Sequence, residues 1–442
     1  MKIGLSEHFT LKKILRFTLP SVIMMIFTSV YGVVDGFFVS NFVGKTPFTA
    51  VNFIMPFLML LGSAGFMFGT GGCALIAKTM GEGNLIKAKR LFSMFVYVSI
   101  AAGVIIAVLG FIFLRPCAVI LGAEGEMLEN CIIYGRINLI AIPVYILQFE
   151  FQSFFVAAEK PQLGLSVTIA AGVTNMVLDL LLVAVFPLGL RGAAAATALS
   201  QCVGGVIPLI YFSRRNSSRL RLTKTSLDLR ALLKCCTNGS SELLTNISLS
   251  VVNMLYNAQL IKYVGNDGVA AYGVIMYVNL IFLSAFIGYS SGAAPVFSYN
   301  YGAQNNKELK SLLINSVGII SVFAVLMFVF AEISGKPLAL IFVSYDKDLL
   351  DLTVKAFKIY SFSFLFAGVG IFGSSFFTAL NNGLVSASIS FLRTFLYQAV
   401  AVLVFPLILG INGIWISIVA AEFAAALTAI LFIAALRKKY DY

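Results

Sequence analysis

Asp179 sits in the stretch TNMVLDLLL, Thr174 to Leu182, and the nearest charged residues along the chain are Lys160 and Arg191. Thr168, Gly172, Asn175 and Asp179 fall at i, i+4, i+7 and i+11, which is one face of a helix. Ser21, Thr28, Gly32 and Asp35 fall at i, i+7, i+11 and i+14, one face of a second helix, and Thr197 and Gln201 lie four apart on a third. Turned toward one another, these stripes would bring together two carboxylates, an amide and a hydroxyl. Such a set could cage a hard monovalent cation such as Na+ in oxygen. It could equally hold a proton between two acids that cannot both ionise side by side. A charged carboxylate at mid-membrane costs about 3 kcal/mol or more, so either use would explain its presence. The structural alternative is that Asp35 and Asp179 cap loops or pair with Arg136 or Arg393.

Other chemistries lack their residues. The six cysteines, Cys73, Cys117, Cys131, Cys202, Cys235 and Cys236, have no C-x-x-C spacing and read as small packing residues. His8 is the single histidine and precedes the first apolar segment, so no histidine triad or histidine metal cluster can form in the membrane. A G-x-x-x-x-G-K-[ST] loop is missing too, so the chain shows no means of hydrolysing ATP. The reading is of a non-enzyme without cofactors, powered by an ion gradient or a partner.

The elements that position these residues follow from composition. Of 442 residues, 60% are hydrophobic and 11% charged, far from the usual balance of soluble domains. A spanning helix needs about 20 mostly apolar residues. Polar breaks divide the chain into twelve such segments, near 15–35, 50–77, 91–114, 132–157, 162–186, 192–213, 235–261, 269–298, 311–334, 352–379, 384–408 and 411–436. None alternates as a barrel strand would. Lys and Arg favour the cytoplasmic side of short loops; 21 of the 31 fall on the side of the two termini and 6 on the other. Both termini are therefore expected in the cytoplasm, and the net charge of +12 is chiefly a topology signal. The basic run Arg214, Arg215, Arg219, Arg221 and Lys224 reads as a solvated cytoplasmic loop, not as a nucleic-acid site. The first segment has no cleavage signal before it and reads as a retained helix.

An internal repeat organises the segments. An offset of 221 residues aligns FVGK (Phe42 to Lys45) with YVGN (Tyr263 to Asn266), and Gly81 and Asn84 of MGEGN with Gly302 and Asn305 of YGAQN. The same offset aligns LGLRG (Leu188 to Gly192) with LGING (Leu409 to Gly413). Six helices return the chain to its starting side, so the copies are parallel and related by an axis along the membrane normal, the architecture of many alternating-access transporters. The expected fold is all-α: twelve transmembrane helices in two six-helix lobes, 1–213 and 235–442, around a central cleft, with 214–234 as the cytoplasmic linker. Pro20, which lacks an N–H, is the expected hinge of the first helix.

The Pro20 and Asp35 pair, MGEGNLIKAK after segment 2, AAEKP between segments 4 and 5, NMVLD on segment 5, GAAAATALS on segment 6 and PVFSYNYGAQNNKEL ending segment 8 resemble the multidrug and toxic compound extrusion (MATE) family, in order and over essentially the whole chain. The resemblance implies a cation-coupled exporter of diverse, often cationic and aromatic compounds. It also implies that Asn175, Asp179 and Thr197, whose spacing reproduces the family's, form with Asp35 the cation or proton site of the first lobe. The second lobe departs from this: the repeat sets Tyr256 opposite Asp35, Glu242 opposite Ser21 and Glu422 opposite Gln201, and the run 359–378 on segment 10 carries no acid. Glu242 heads a polar stripe with Asn246, Asn253 and Asn257 and suits the substrate cleft or a structural pair; Arg393 could neutralise an acid of the same lobe. Glu150 is ambiguous, with Gln148 and Gln152 on the opposite face. Met55, Gln201, Tyr256 and Tyr277 are further expected cleft residues. The sequence leaves open whether Na+ or H+ drives transport, and a lipid-linked oligosaccharide or lipid flippase of related fold is the alternative. A monomer in the inner membrane is expected, with a cationic or amphipathic small molecule as substrate.

Overall fold

The computed structural model describes residues 3–120, 122–344 and 346–442, and among them the regular structure is all helical, with no strand. The first half comprises α1 (Leu11–Phe38, continued by a π turn at Val39–Val43), α2 (Lys45–Gly81), α3 (Leu85–Ile120), α4 (Gly125–Ala157), α5 (Pro161–Asp179, continued by a π turn at Leu180–Val185) and α6 (Gly189–Ser213). The second comprises α7 (Leu229–Tyr263), α8 (Asn266–Gly302), α9 (Asn306–Val343), α10 (Lys347–Ser361), α11 (Phe364–Ala379), α12 (Gly383–Phe391), a π turn at Leu392–Leu396, α13 (Tyr397–Leu409) and α14 (Ile411–Tyr440).

Among the described residues ten helices are long and apolar enough to cross a membrane, eleven if α10 and α11, bent by 49° at their junction, count as one span. The twelfth expected span is α7. Its 35 residues give it ample length, but Asn238, Ser241, Glu242, Thr245, Asn246 and Asn253 make it polar. It also starts at Leu229, inside the stretch the sequence gives to the linker. The bend in segment 10 has neither proline nor glycine at it; there the Ser361 hydroxyl donates to the Lys358 carbonyl at 2.8 Å and to the Glu332 carboxylate.

The 221-residue repeat has a geometric counterpart. Asn84 and Asn305 each cap the helix that follows, accepting from the Lys87 N–H at 2.9 Å and the Glu308 N–H at 3.2 Å. Gly81 and Gly302, also one repeat apart, let the halves touch: a Cβ on Gly81 would lie 2.0 Å from the Tyr299 carbonyl oxygen, and one on Gly302 2.1 Å from that of Lys78. Lys78 and Tyr299 are themselves 221 apart, so the two contacts exchange under a two-fold passing between them. A second pair of close approaches, Gly71 on the Cys235 carbonyl and Gly239 on the Met67 carbonyl, at 2.1 and 2.0 Å to the absent Cβ, joins α2 to α7.

These contacts seal the end of the molecule that carries both termini. Residues 3–10 lie across it as a strap: the Leu5 N–H donates to Glu159 Oε1 at 2.9 Å in the first half, and the Phe9 N–H donates to Glu308 Oε1 at 2.7 Å in the second. Leu5 and Phe9 are fully buried. Lys13, and then the Gly4 N–H, hold the Glu7 carboxyl below the usual carboxylate range. Toward the other end α1 and α8 stay joined as far as the Ser29 and Ser284 hydroxyls. Beyond them Gly32, Gly36 and Gly273 have nothing within 4 Å of where a Cβ would stand, so the helices diverge into a cleft.

Candidate functional site

The buried stripe of α5 faces α1: a Cβ on Gly172 would run into the Phe27 and Tyr31 rings. Small residues here set the two aspartates side by side. Asp35 is 8% exposed, Asn175 1% and Asp179 0%. The Asp35 carboxyl is surrounded by Asp179, Asn175 and Thr197, whose hydroxyl donates to Asp35 Oδ1 at 3.5 Å and to the Ala193 carbonyl at 3.1 Å. All four residues named from the sequence therefore converge. Neither Asp179 oxygen nor the Asn175 amide has a well-aligned hydrogen bond, and both face the Asp35 carboxyl. Among the described residues, neither aspartate is in an ion pair with Arg136, Arg393 or any other cation.

Both aspartates stand where an α-helix widens into a π turn: Asp179 ends α5 directly before Leu180–Val185, and Asp35 lies one turn before Val39–Val43. Such turns release backbone groups from the regular ladder and recur at functional sites. The cavity beside the pair is lined by Asp35, Asn175, Thr197, Gln201 and Met55, among others. Tyr31, Tyr134 and Gln148 complete the surroundings; the sequence reading gave the two tyrosines no role and used Gln148 only to mark the face opposite Glu150. Tyr134 and Asn138, four apart on α4, offered a helical signal that the overall apolar character of segment 4 hid.

The donor set suits a monovalent ion or a proton better than a transition metal. Among the described residues no three His, Cys, Asp or Glu side chains meet. Two carboxylates with neutral oxygen donors match the hard-cation preference for oxygen.

The second half holds a different site. A cavity of about 150 Å³ is lined by Glu242, Arg393, Glu422, Ser374, Ser390 and Thr378, among others, and extends to Thr70, Cys73 and Ser153 of the first half. Arg393 Nε donates to Glu422 Oε2 at 2.8 Å, both side chains buried, so the cation that could neutralise an acid does so. Arg393 lies in the third π turn, Leu392–Leu396. Ser374 links by hydroxyl contacts to Ser386 at 2.9 Å and Ser390 at 2.8 Å, giving the wall its polarity without charge. Glu242 faces this cavity. Tyr256 does not: its ring stacks on Tyr272 at 5.3 Å and its hydroxyl meets Ser417 at 2.9 Å, within the packed core between α7 and α14. Tyr277 is also elsewhere, 43% exposed and stacked on Phe342 at 5.9 Å. Tyr272 and Tyr360 supply the aromatic wall instead. Pro20 is buried on α1 next to Ser21 and Val22, which meet Gly288 and Gly292 of α8, and the helix runs through it unbroken.

Similarity to known proteins has the same duplicated form. The multidrug export protein MepA of Staphylococcus haemolyticus (strain JCSC1435) is 27% identical over 438 residues, covering 98% of this chain and 95% of the relative. MepA of Staphylococcus aureus (strain MSSA476) is 26% identical over 437 residues, covering 97% and 94%. Among solved structures, a MATE protein in the straight conformation superposes with a TM-score of 0.92 at 21% identity, covering 98% of both chains. An outward-facing multidrug resistance MATE family transporter superposes with a TM-score of 0.89 at 22% identity, again covering 98% of both chains. The MatE family profile matches residues 20–181 and again 243–403, once in each half and nearly one repeat apart, and the chain belongs to the MatE family.

Proposed function

We propose that this protein is a secondary active multidrug efflux transporter that exports cationic or aromatic compounds in exchange for Na+ or H+. The lobes are residues 1–213 and 235–442, linked by 214–234, and they rock about their two-fold to open the cleft alternately to either side. The observation that carries the reading is the Asp35–Asn175–Asp179–Thr197 cluster. Among the described residues these two buried carboxylates have no cationic partner, and the cavity they border lies within the first half. The MepA relatives, multidrug exporters by name, support the direction and breadth of transport.

In this reading the cluster exchanges its cation while the cleft carries substrate, and Met55 and Gln201 on its wall, with Glu242 opposite, contact the exported compound. Pro20 serves as hinge where α1 leaves its contact with α8. The strap and the linker lie in the cytoplasm with both termini, the protein is a monomer of the inner membrane, and the conformation described is open to the outside.

Proteoliposomes under separately imposed sodium and pH gradients test this. Export of a monocationic aromatic dye should follow one of the two gradients. Asp35→Asn and Asp179→Asn, which remove charge without changing size, should each abolish it while the protein stays inserted and folded. Undiminished efflux by either variant would remove that residue from the coupling site.

A further inference from the structure

One buried acid takes no part in either site. Glu150, on α4, is fully buried, and neither carboxyl oxygen has a hydrogen-bond partner. The polar group that approaches it is the Ser99 hydroxyl of α3, itself buried and unpartnered. From α2, Gly69 packs so closely that a Cβ there would lie 3.1 Å from the Glu150 Cα. The titratable groups these helices bring to this level are thiols: Cys235 of α7, and Cys73 of α2, which donates to the Ser153 carbonyl at 3.4 Å. Among the described residues no charged side chain faces Glu150.

An ionised carboxylate without a partner is the costliest arrangement a bilayer interior offers, whereas a protonated one needs a single acceptor, and Ser99 can supply it. The location gives that proton a use. The α2 turn that covers Glu150, Phe68 to Gly71, is the turn that seals against α7: the Cys235 thiol donates to the Phe68 carbonyl at 3.8 Å, and Gly71 abuts the Cys235 carbonyl. Ser153, one helical turn beyond Glu150, already lines the central cavity with Thr70 and Cys73. Separation of α7 from α2 would therefore open this cavity further beside Thr70, Cys73 and Ser153 and bring its water within one helical turn of Glu150.

We propose that Glu150 is a second exchangeable proton site, separate from the Asp35–Asp179 pair. It is sealed while α2 is closed on α7, and it exchanges its proton with water on the side of the termini when they part. The proton passes between the carboxyl and that water, and no other bond changes. The proposal rests on the alternating-access reading above, and it gives each turn of the cycle a second titrating group.

Infrared spectroscopy of the reconstituted full-length protein in D2O tests it, combined with efflux of tetraphenylphosphonium. In an Asp35→Asn/Asp179→Asn background, a protonated-carboxyl band should remain, exchange slowly with D2O, and vanish on Glu150→Gln. Gly81→Val, which wedges the halves apart at the sealed end, should speed that exchange about tenfold. Glu150→Gln alone should lower gradient-driven efflux about tenfold while tetraphenylphosphonium binding stays within about twofold of wild type, and Glu150→Asp should restore part of it. Absence of the band, or wild-type efflux with an unchanged pH profile in Glu150→Gln, overturns the proposal. So does a joint loss of efflux, ligand binding and thermal stability that Glu150→Asp does not relieve. If the wild type moves no tetraphenylphosphonium under any gradient, the transport reading fails, while the infrared band still decides whether Glu150 holds an exchangeable proton.

Discussion

Charge at single residues decides what each half can do. In the first half Asp35 and Asp179 are, among the described residues, left without cations, and in the second Arg393 and Glu422 satisfy each other at 2.8 Å. Removing one member of a buried pair strands the other, at a cost of about 3–5 kcal/mol, whereas replacing both with apolar residues is close to neutral. Arg393→Leu should therefore lower thermal stability in detergent sharply, and Arg393→Leu with Glu422→Leu should recover most of it. Equal melting of the single and double variants would mean the pair contributes little. Glu242 shares their cavity.

At the scale of elements, the helices depart from regularity where the chemistry is. Of the three π turns among the described residues, one directly follows Asp179, one begins a turn after Asp35 and one contains Arg393. The polar face of α7, with Glu242, Thr245 and Asn253, lines the cavity of the second half. The seal at the terminal end depends on backbone contact at glycines, and a side chain there has no space: the carbonyls of Tyr299 and Lys78 stand 2.0 and 2.1 Å from the missing Cβ atoms of Gly81 and Gly302. Gly81→Val and Gly302→Val should each shift the population toward a form open at that end. Because the repeat exchanges the two contacts, the shifts should be similar in size. Distances between spin labels placed on the two halves at this end should lengthen in both variants; distributions that match the wild type would show that these contacts do not hold it shut.

For the molecule as a whole, a ligand moves an alternating-access equilibrium only through different affinity for its two states. If the Asp35–Asp179 pair attracts a cationic substrate when empty, filling it with H+ or Na+ removes that attraction. Acidification, or added sodium if that is the driver, should weaken binding of a monocationic dye in detergent. Asp35→Asn should bind the same dye with little dependence on either ion. Wild-type affinity flat in both pH and sodium would place the energy input elsewhere, with Glu242 and Glu150 next in line.

What the sequence determined by itself was set by local physics and by duplication. Runs of about 20 apolar residues can only be spanning helices, and helical spacing alone put Asp179 on one stripe with Asn175. Matching Gly81 and Asn84 with Gly302 and Asn305 revealed the repeat because those residues end one helix and cap the next in both halves. The tertiary structure decided whatever depends on how a helix is rotated against its neighbours. Tyr256 and Tyr277 lie on the expected helices, yet one is turned into the core with Ser417 and the other outward onto Phe342. Spacing fixes which residues share a face, and only packing fixes what that face meets. Tyr134 came to lie beside Asp35, and Glu150 was enclosed beneath α2 at Gly69, for the same reason: each contact is made across helices far apart in the chain, which no local pattern announces.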